Sequence, residues 1–144
     1  MSMENIFVSE IMDNWLAVQE KITAAAERSK RNIQDITVVA VSKLQPVSKI
    51  EAAIQCGITD FGENYPEQAV EKIHHFAGNT QIRWHMIGHL QSRKAPIVAS
   101  DFSMFHSLDR LSIAARLENQ LEAVNRILPV LLEVNISSEV SKSG

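Results

Sequence analysis

The chain has 144 residues, of which 45% are hydrophobic and 22% are charged, a balance typical of one globular domain and not of a disordered chain. Its 14 Lys and Arg and 17 Asp and Glu residues are scattered and give a formal charge of -3, which excludes the basic stripe of a nucleic-acid-binding protein. No window approaches 18 uncharged apolar residues, and the single cysteine, Cys56, excludes a disulfide framework, so we expect a cytoplasmic protein without membrane contact.

The first half of the chain alternates between helix and strand patterns. Apolar residues at helical spacing over residues 11–25 predict an amphipathic helix. The run ITVVAVSK, residues 36–43, is β-branched and almost wholly apolar, which predicts a parallel strand covered on both faces. Ser48 and Glu51 form a capping-box pattern, so the next helix is predicted to begin there and to end before Gly57.

The same alternation continues to the end of the sequence. Residues 58–64 predict a second strand, and residues 65–78 predict a helix with Pro66 in its first turn. Three further strands are predicted at residues 82–91, 102–108 and 129–137. Between them we expect a short helix over residues 93–100, disturbed by Pro96, and a long helix with an apolar stripe formed by Leu111, Ala114, Leu117, Leu121 and Val124.

Strict alternation of strand and helix predicts a parallel sheet with right-handed crossovers. Two α/β architectures fit this pattern, an open doubly wound sheet and a (β/α)8 barrel. The turn KLQPVS after the first predicted strand contains no glycine, which weighs against a dinucleotide-binding sheet. In both architectures the working residues lie at the carboxyl ends of the strands.

Polar residues lie at the carboxyl end of each predicted strand, and one of them, Lys43, meets a chemical requirement. An amine that forms a Schiff base must lose its proton near neutral pH, and partial burial at the mouth of an apolar barrel favours the neutral form. The residues alone therefore favour a carbonyl-binding lysine, in a pyridoxal phosphate site or an aldolase-like enzyme. Each of the other residues at these strand ends is most simply a solvent-exposed residue at the edge of the sheet. These residues are Ser42, Glu63, Asn64, His85, Gly88, His89, Gln91, His106, Ser107, Asp109, Asn135 and Ser137.

A metal site is the weaker interpretation of the histidines at these strand ends. His85 and His89 lie four residues apart on the third predicted strand and share a face, and Glu63 or His106 could supply a third ligand. No other ligand spacing supports a metal ion, and histidines are common at such rims. We therefore predict no metal site.

Five motifs occur in the order and spacing of a known family and run over nearly the whole chain: VVAVSKLQP, DFGENYPEQAVEKI, RWHMIGHLQSRK, FHSLDR and LLEVNISSEVSKSG. On these motifs the chain resembles the pyridoxal phosphate homeostasis proteins, which are single-domain relatives of the N-terminal barrel of alanine racemase. The resemblance implies an α/β fold of the (β/α)8 TIM-barrel type. Residues 1–144 would form a single incomplete barrel domain with about the first five strands.

The resemblance also implies a cofactor and the residues that hold it. Pyridoxal 5'-phosphate would be bound as a Schiff base to Lys43, with Asn64 and His85 at positions near the cofactor and Lys142 as a candidate second amine. The implied role is intracellular homeostasis of pyridoxal phosphate, with apo-enzymes that depend on the cofactor as candidate partners and without a robust catalytic activity. Arg93 and His89 depart from the family pattern, in which asparagine and often proline occupy these positions, and concern the loop after the third strand.

Three other functions stay open from the sequence. One is an amino acid racemase, which needs a second base on the opposite face of the substrate. Another is an aldolase-type enzyme that uses Lys43 without a cofactor, and a third is a barrel whose rim binds a partner protein. A (β/α)8 barrel needs about 250 residues, so we expect strands six to eight, and the phosphate-binding loops after strands seven and eight, to lie outside these 144 residues.

Overall fold

A computed structural model describes residues 3–139, 141 and 143–144, with side chains from Phe7 onward. None of the helices in this part of the chain, not even the 26-residue first helix, combines the length and the apolar character that crossing a bilayer requires. The described residues form five α-helices and five strands in alternation, with two short 3-10 turns at Ile33–Asp35 and Ser92–Lys94. In chain order they are α1 (Met3–Arg28), β1 (Ala40–Val41), α2 (Val47–Gln55), β2 (Asp60–Glu63), α3 (Pro66–His75), β3 (Arg83–Met86), α4 (Ala95–Asp101), β4 (Met104–Leu108), α5 (Leu111–Ala123) and β5 (Val130–Leu132).

The five strands form one parallel sheet in the order β1-β2-β3-β4-β5, so each strand pairs with the strand that precedes it along the chain. Phe61 pairs with Ala40 on one side and with Trp84 on the other. Phe105 in turn lies between Met86 and Val130. The prediction of an α/β protein with a parallel sheet is confirmed.

One hydrophobic core lies between the sheet and the helices. Side chains alternate along each strand, so every second residue enters this core. Each fully buried large apolar side chain stabilises the fold by about 1.5–3 kcal/mol. The strands contribute Phe61, Trp84, Met86 and Phe105, and the helices contribute Ile50, Ala53, Ala69, Ile73, Val98, Ile113 and Leu117. The opposite face of the sheet, which carries Asp60, Gly62, His85 and His106, is called the open face below.

The two outer strands are much shorter than the sequence predicts. The apolar run over residues 36–43 predicts eight strand residues, and the structure has two, Ala40–Val41. Likewise the predicted strand over residues 129–137 is reduced to Val130–Leu132. Within the described residues, β1 and β5 each pair with a strand on one side only. Fewer hydrogen bonds between strands therefore hold these two runs in the extended conformation.

Two details of the predicted helices are wrong. The capping box of Ser48 and Glu51 does not form, because α2 begins at Val47 and its N-cap is Pro46, whose side chain makes no hydrogen bond. Pro96 does not disturb the fourth helix either, since it lies in the first turn of α4. At that position the N–H that proline lacks would have had no partner within the helix.

The predicted stripe of α5 is also shifted. The helix buries Ile113 and Leu117, which lie four residues apart on one face. Leu111, by contrast, is 87% exposed at the first position of the helix, and Val124 follows the last position. The two end residues of the predicted stripe, Leu111 and Val124, are therefore exposed to solvent and do not pack in the core.

We predict that a polypeptide of these 144 residues associates in solution. Val41 beside β2 is 53% exposed, and Leu132, Val134 and Ile136 at the opposite edge are 67–90% exposed. Unpaired apolar sheet edges recruit other chains. Light scattering should detect association, and Leu132→Lys should reduce it. A monodisperse monomer would contradict the prediction.

Candidate functional site

Lys43 lies two residues beyond the end of β1, near the strand end where the sequence predicts it. The ladder continues one residue beyond β1, because the Ser42 N–H donates to the Gly62 carbonyl at 2.9 Å. Alternation of side chains along the strand assigns Val41 and Lys43 to the open face. The expected partial burial of Lys43 is wrong for this chain, since its side chain is exposed at the sheet edge.

The turn after Lys43 contains an unusual backbone conformation. Leu44 has a φ of 60°, in the left-handed region that glycine adopts far more readily than leucine. The turn is closed by the Gln45 N–H, which donates to the Ser42 carbonyl at 3.1 Å. A strained residue of this kind persists where the surrounding structure enforces it, and such positions are common next to functional groups.

Asn64 follows the second strand and has a buried oxygen without a partner. None of the described residues donates a hydrogen bond to its Oδ1, which is shielded from solvent. A buried polar atom left without a hydrogen bond costs about 1–3 kcal/mol, so such an atom needs an explanation. A ligand that donates a hydrogen bond to Asn64 would supply one.

Gly88, after the third strand, lies directly against Asn64. A Cβ added to Gly88 would be 2.5 Å from the Asn64 carbonyl oxygen and 2.8 Å from its Cα. Only glycine permits this approach of the two chain segments. The Ser107 hydroxyl donates to the Gly88 carbonyl at 2.6 Å, which ties the same turn to β4.

His85 lies on the open face at the centre of a chain of hydrogen bonds. Its Nε2 is 2.8 Å from Asp60 Oδ1, and its Nδ1 is 2.9 Å from His106 Nε2. Both ring nitrogens of His85 are therefore used by protein groups. His106 takes part in this chain of hydrogen bonds through Nε2 and not through Nδ1. The His106 residue is less buried than His85.

Asp60 anchors this chain through a second set of contacts. Arg83 binds it with two nitrogens, Nε at 2.8 Å from Oδ1 and Nη2 at 2.8 Å from Oδ2, and the Thr59 hydroxyl donates to Oδ2 at 2.9 Å. Burial alone would raise the pKa of Asp60, but the hydrogen bonds from Arg83, His85 and Thr59 outweigh it and hold that pKa below its ordinary value. Asp60 is thus an ionised acceptor, and His85 donates its Nε2–H to it.

The pKa of His106 lies below its ordinary value, because burial disfavours the charged ring and the neighbouring His85 adds repulsion. The folded protein thus favours neutral His106. Below about pH 6.5 the unfolded chain takes up a proton at this histidine that the folded chain resists. The stability contributed by neutral His106 is present above that pH and is lost as the pH falls through it toward the lowered folded pKa.

We therefore predict that His106→Gln weakens the acid sensitivity of the fold. The amide can still hydrogen-bond to His85, and it does not titrate. Urea unfolding at pH 7.5 and 5.5 should show a smaller loss of unfolding free energy in the variant than in the wild type. An equal loss in both proteins would show that His106 is not the group responsible.

Of the residues that the metal interpretation combined, the structure brings His85 and His106 together but gives His89 and Glu63 other partners. His89 Nδ1 is 3.2 Å from Asp109 Oδ2, and its Nε2 accepts hydrogen bonds from Arg110 at 3.2 Å, away from His85. Glu63 points into the helix layer, where it binds Lys72. No three potential ligands of a metal ion are grouped among the described residues.

Sequence reasoning missed three residues of this region. Asp60 and Arg83 lie at the amino ends of their strands, and Lys72 lies on a helix, so an inspection of carboxyl ends alone could not find them. The alternation of polar Asp60 with apolar Phe61 was a usable signal for a side chain on the open face. The predicted second amine, Lys142, lies outside the described residues.

Comparison with known proteins identifies relatives of this chain. The chain is 48% identical over 139 residues to the pyridoxal phosphate homeostasis protein of Escherichia coli K12 and covers 95% of its own length in that match. It is 44% identical over 135 residues to the protein of the same name from Haemophilus influenzae, and 40% identical over 137 residues to that from Pseudomonas aeruginosa. The chain thus resembles the pyridoxal phosphate homeostasis proteins over 93–95% of its own length. It spans 57–59% of the length of these three relatives, and a scan against protein-family models found no match.

Solved structures agree with the family. An unknown protein from Bifidobacterium adolescentis superposes with a TM-score of 0.89 at 30% identity, covering 99% of this chain and 62% of that protein. PipY of Synechococcus elongatus PCC7942, described as a COG0325 family member with PLP bound, superposes with a TM-score of 0.71 at 30% identity and covers 84% of this chain and 55% of its own. A protein of the same fold therefore holds pyridoxal phosphate.

Proposed function

We propose that this protein binds pyridoxal 5'-phosphate through a Schiff base at Lys43 and serves the intracellular homeostasis of that cofactor. The observation that carries the proposal is the position of Lys43, an exposed amine two residues beyond β1 at the carboxyl end of the sheet. The neighbouring strand β2 is followed by Asn64, whose buried Oδ1 has no partner among the described residues. The names of the relatives and the ligand of PipY support the same cofactor.

The chemistry at Lys43 needs an accessible neutral amine. Its Nζ adds to the aldehyde carbon of the cofactor, a carbon–nitrogen double bond forms, and the aldehyde oxygen leaves as water. Bound pyridoxal phosphate supplies an electron sink for amino acid chemistry. Asn64 Oδ1 would accept a hydrogen bond from the ligand, and Gly88 leaves space for Asn64 to keep its position.

His85 remains a predicted neighbour of the cofactor, but we do not expect its ring nitrogens to hydrogen-bond to the cofactor directly. Asp60 and His106 occupy both of its ring nitrogens. We assign it the role of holding His106, whose Nδ1 is directed outside the chain of bonds. On this part of the open face we propose His106 Nδ1 as the ring nitrogen that would meet a ligand.

The same proposal covers the architecture. The strand order has no reversal, as in a (β/α)8 barrel, whereas a doubly wound sheet reverses its order at a switch point. We therefore propose that residues 1–144 form one incomplete barrel domain. The relatives are longer, which is consistent with further strands that pair with the edges of β1 and β5.

The cellular side of the proposal concerns delivery of the cofactor. A lysine that binds an aldehyde reversibly can store pyridoxal phosphate and pass it to apo-enzymes that depend on it. These enzymes are the proposed partners, and the cytoplasm is the proposed compartment. Cys56 is a buried free thiol, as expected in a reducing compartment.

Reduction and peptide mapping test the proposal. The natural full-length protein is mixed with pyridoxal phosphate, its absorption spectrum is recorded, and borohydride is added to convert the double bond into a stable amine. We expect a violet absorption that disappears on reduction and a pyridoxyl label on the peptide that contains Lys43. A colourless protein that labels only with a carbonyl substrate would favour the aldolase-type alternative, and no label at all would favour a partner-binding barrel.

We further predict that the protein does not racemise amino acids. Racemisation needs an acid or base on each face of the substrate carbanion, and a partner for Lys43 on the opposite face is not expected within these 144 residues. Incubation with L-alanine followed by chiral chromatography measures the product. Racemic alanine that forms with the wild type and is lost with Lys43→Ala would identify an enzyme.

A further inference from the structure

Lys72 is a buried amine between α3 and the sheet. Its Nζ donates to the Ser42 carbonyl at 2.9 Å and to Glu63 Oε1 at 2.8 Å. The Ser42 hydroxyl donates to the same Oε1 at 2.8 Å. Only 11% of the Lys72 side chain and 1% of the Glu63 side chain are exposed. Ser42, Glu63 and Lys72 are called the lysine network below.

The lysine network holds the chain at the two residues that precede the proposed cofactor residues. Ser42 precedes Lys43, and Glu63 precedes Asn64. Ser42 and Glu63 also make the backbone hydrogen bonds between strands at the carboxyl end of the sheet. The Ser42 N–H donates to the Gly62 carbonyl, and the Glu63 carbonyl accepts from the Ile87 N–H at 3.0 Å. Lys72 thus fixes the ends of β1 and β2 from behind the sheet.

Stability alone does not explain a buried ion pair at this position. Removing two charges from water costs several kcal/mol per ion, and replacement of a buried pair by apolar residues of similar volume is often neutral or stabilising. The neighbouring core positions are apolar, including Ile50 and Ala69. Apolar residues could not supply the second hydrogen bond to the Ser42 carbonyl, which also accepts from the Gln45 N–H in the turn. This carbonyl belongs to the peptide group that joins Ser42 to Lys43.

We propose that Lys72 is a positioning residue for Lys43. Through Glu63 and the Ser42 carbonyl it fixes the peptide group before Lys43, and thereby the direction in which the Lys43 amine leaves the sheet. This assignment rests on the proposed function, because Schiff base formation is the reason why the Lys43 amine needs a fixed direction. Lys72 itself does not touch the ligand.

The test replaces both charged members of the lysine network at once, so that neither Glu63 nor Lys72 is left as an unpaired buried charge. The variant Glu63→Leu/Lys72→Met is made in the natural full-length protein, with Lys21→Met as the matched control because Lys21 is an exposed lysine on α1. Thermal unfolding checks that the variant folds. At saturating pyridoxal phosphate, we expect Schiff base formation in the folded variant to be about tenfold slower, the scale of a small misplacement of reacting groups. Lys21→Met should react like the wild type.

A second measurement needs no ligand. The backbone order parameter of the Lys43 amide in ligand-free protein should fall from about 0.85 toward 0.6 in the double variant, while that of the α5 amides stays unchanged. If the double variant does not fold, Ser42→Ala, which removes only the hydroxyl contact, is measured in the same two ways with a smaller expected effect.

The outcomes separate the two proposals. A wild type that forms no Schiff base at Lys43 would refute the proposed function, and the order parameter would still decide whether Lys72 fixes the chain there. A wild type that reacts, together with a double variant that reacts equally fast and keeps an ordered Lys43 amide, would refute the positioning role. A loss of rate that matches a loss of folded protein would assign Lys72 a structural role only and would also overturn it.

Discussion

Replacement of Lys43 by alanine should abolish the borohydride-reducible bond between the protein and pyridoxal phosphate. No other lysine lies within two residues of the carboxyl end of a strand in the described sheet, and the Schiff base needs an amine there. Thermal unfolding should be nearly unchanged, because Lys43 is exposed and makes no contact that the fold needs. Mass spectrometry of reduced tryptic peptides measures the loss of label.

Two further variants make the assignment specific. Lys43→Arg should fail as completely as alanine, since a guanidinium stays protonated and cannot add to an aldehyde. Lys49→Ala is the matched control in the neighbouring helix, where the Lys49 ammonium lies 5.4 Å from the ring centre of Phe7. A label on Lys49, Lys94 or Lys142 with Lys43 unmodified would overturn the assignment.

Gly88→Ala should disrupt the site through a single methyl group. The new Cβ would lie 2.5 Å from a backbone oxygen of Asn64, and backbone atoms cannot rotate away as a side chain can. We expect a loss of about 1–3 kcal/mol in the free energy of unfolding, and a displaced Asn64 that weakens pyridoxal phosphate binding about tenfold or more. Urea unfolding and a spectroscopic titration measure the two effects.

Gly78→Ala is the matched control for that variant. It makes the same change in the turn after α3, where an added Cβ would meet nothing within 4 Å. Binding and stability should therefore stay near those of the wild type. Equal losses in both variants would mean that the contact between Gly88 and Asn64 is not responsible.

The sequence was a good guide to the order of the elements and a poor guide to their ends. Runs such as Ile36–Val41 are apolar enough to predict a buried strand, and the alternation with helices predicts parallel pairing. Strand length, however, depends on hydrogen bonds to neighbouring strands, which a single run of residues does not reveal. The capping box at Ser48 failed for a related reason, because Pro46 already sets the start of the helix.

For the site, the sequence could place residues at strand ends but could not predict their partners. Lys43 and Asn64 lie where the motifs put them. The pairing of His85 with Asp60 and His106 depends on the register between β2, β3 and β4, which joins residues far apart in the sequence. The burial of Lys43 was mispredicted because it depends on what lies beside β1.

The sequential strand order has a consequence for the way the chain folds. Each strand pairs with the one made just before it, across a single helix, so the contacts of the sheet are comparatively local. Pairing between neighbouring strands of the sequence costs less loop-closure entropy than pairing between strands farther apart along the chain. During synthesis, β2 can join β1, and β3 can join β2, while later residues are still on the ribosome. The residues around Lys43, Asn64 and His85 would then be assembled early, so that a nascent chain could present the amine before its translation is finished.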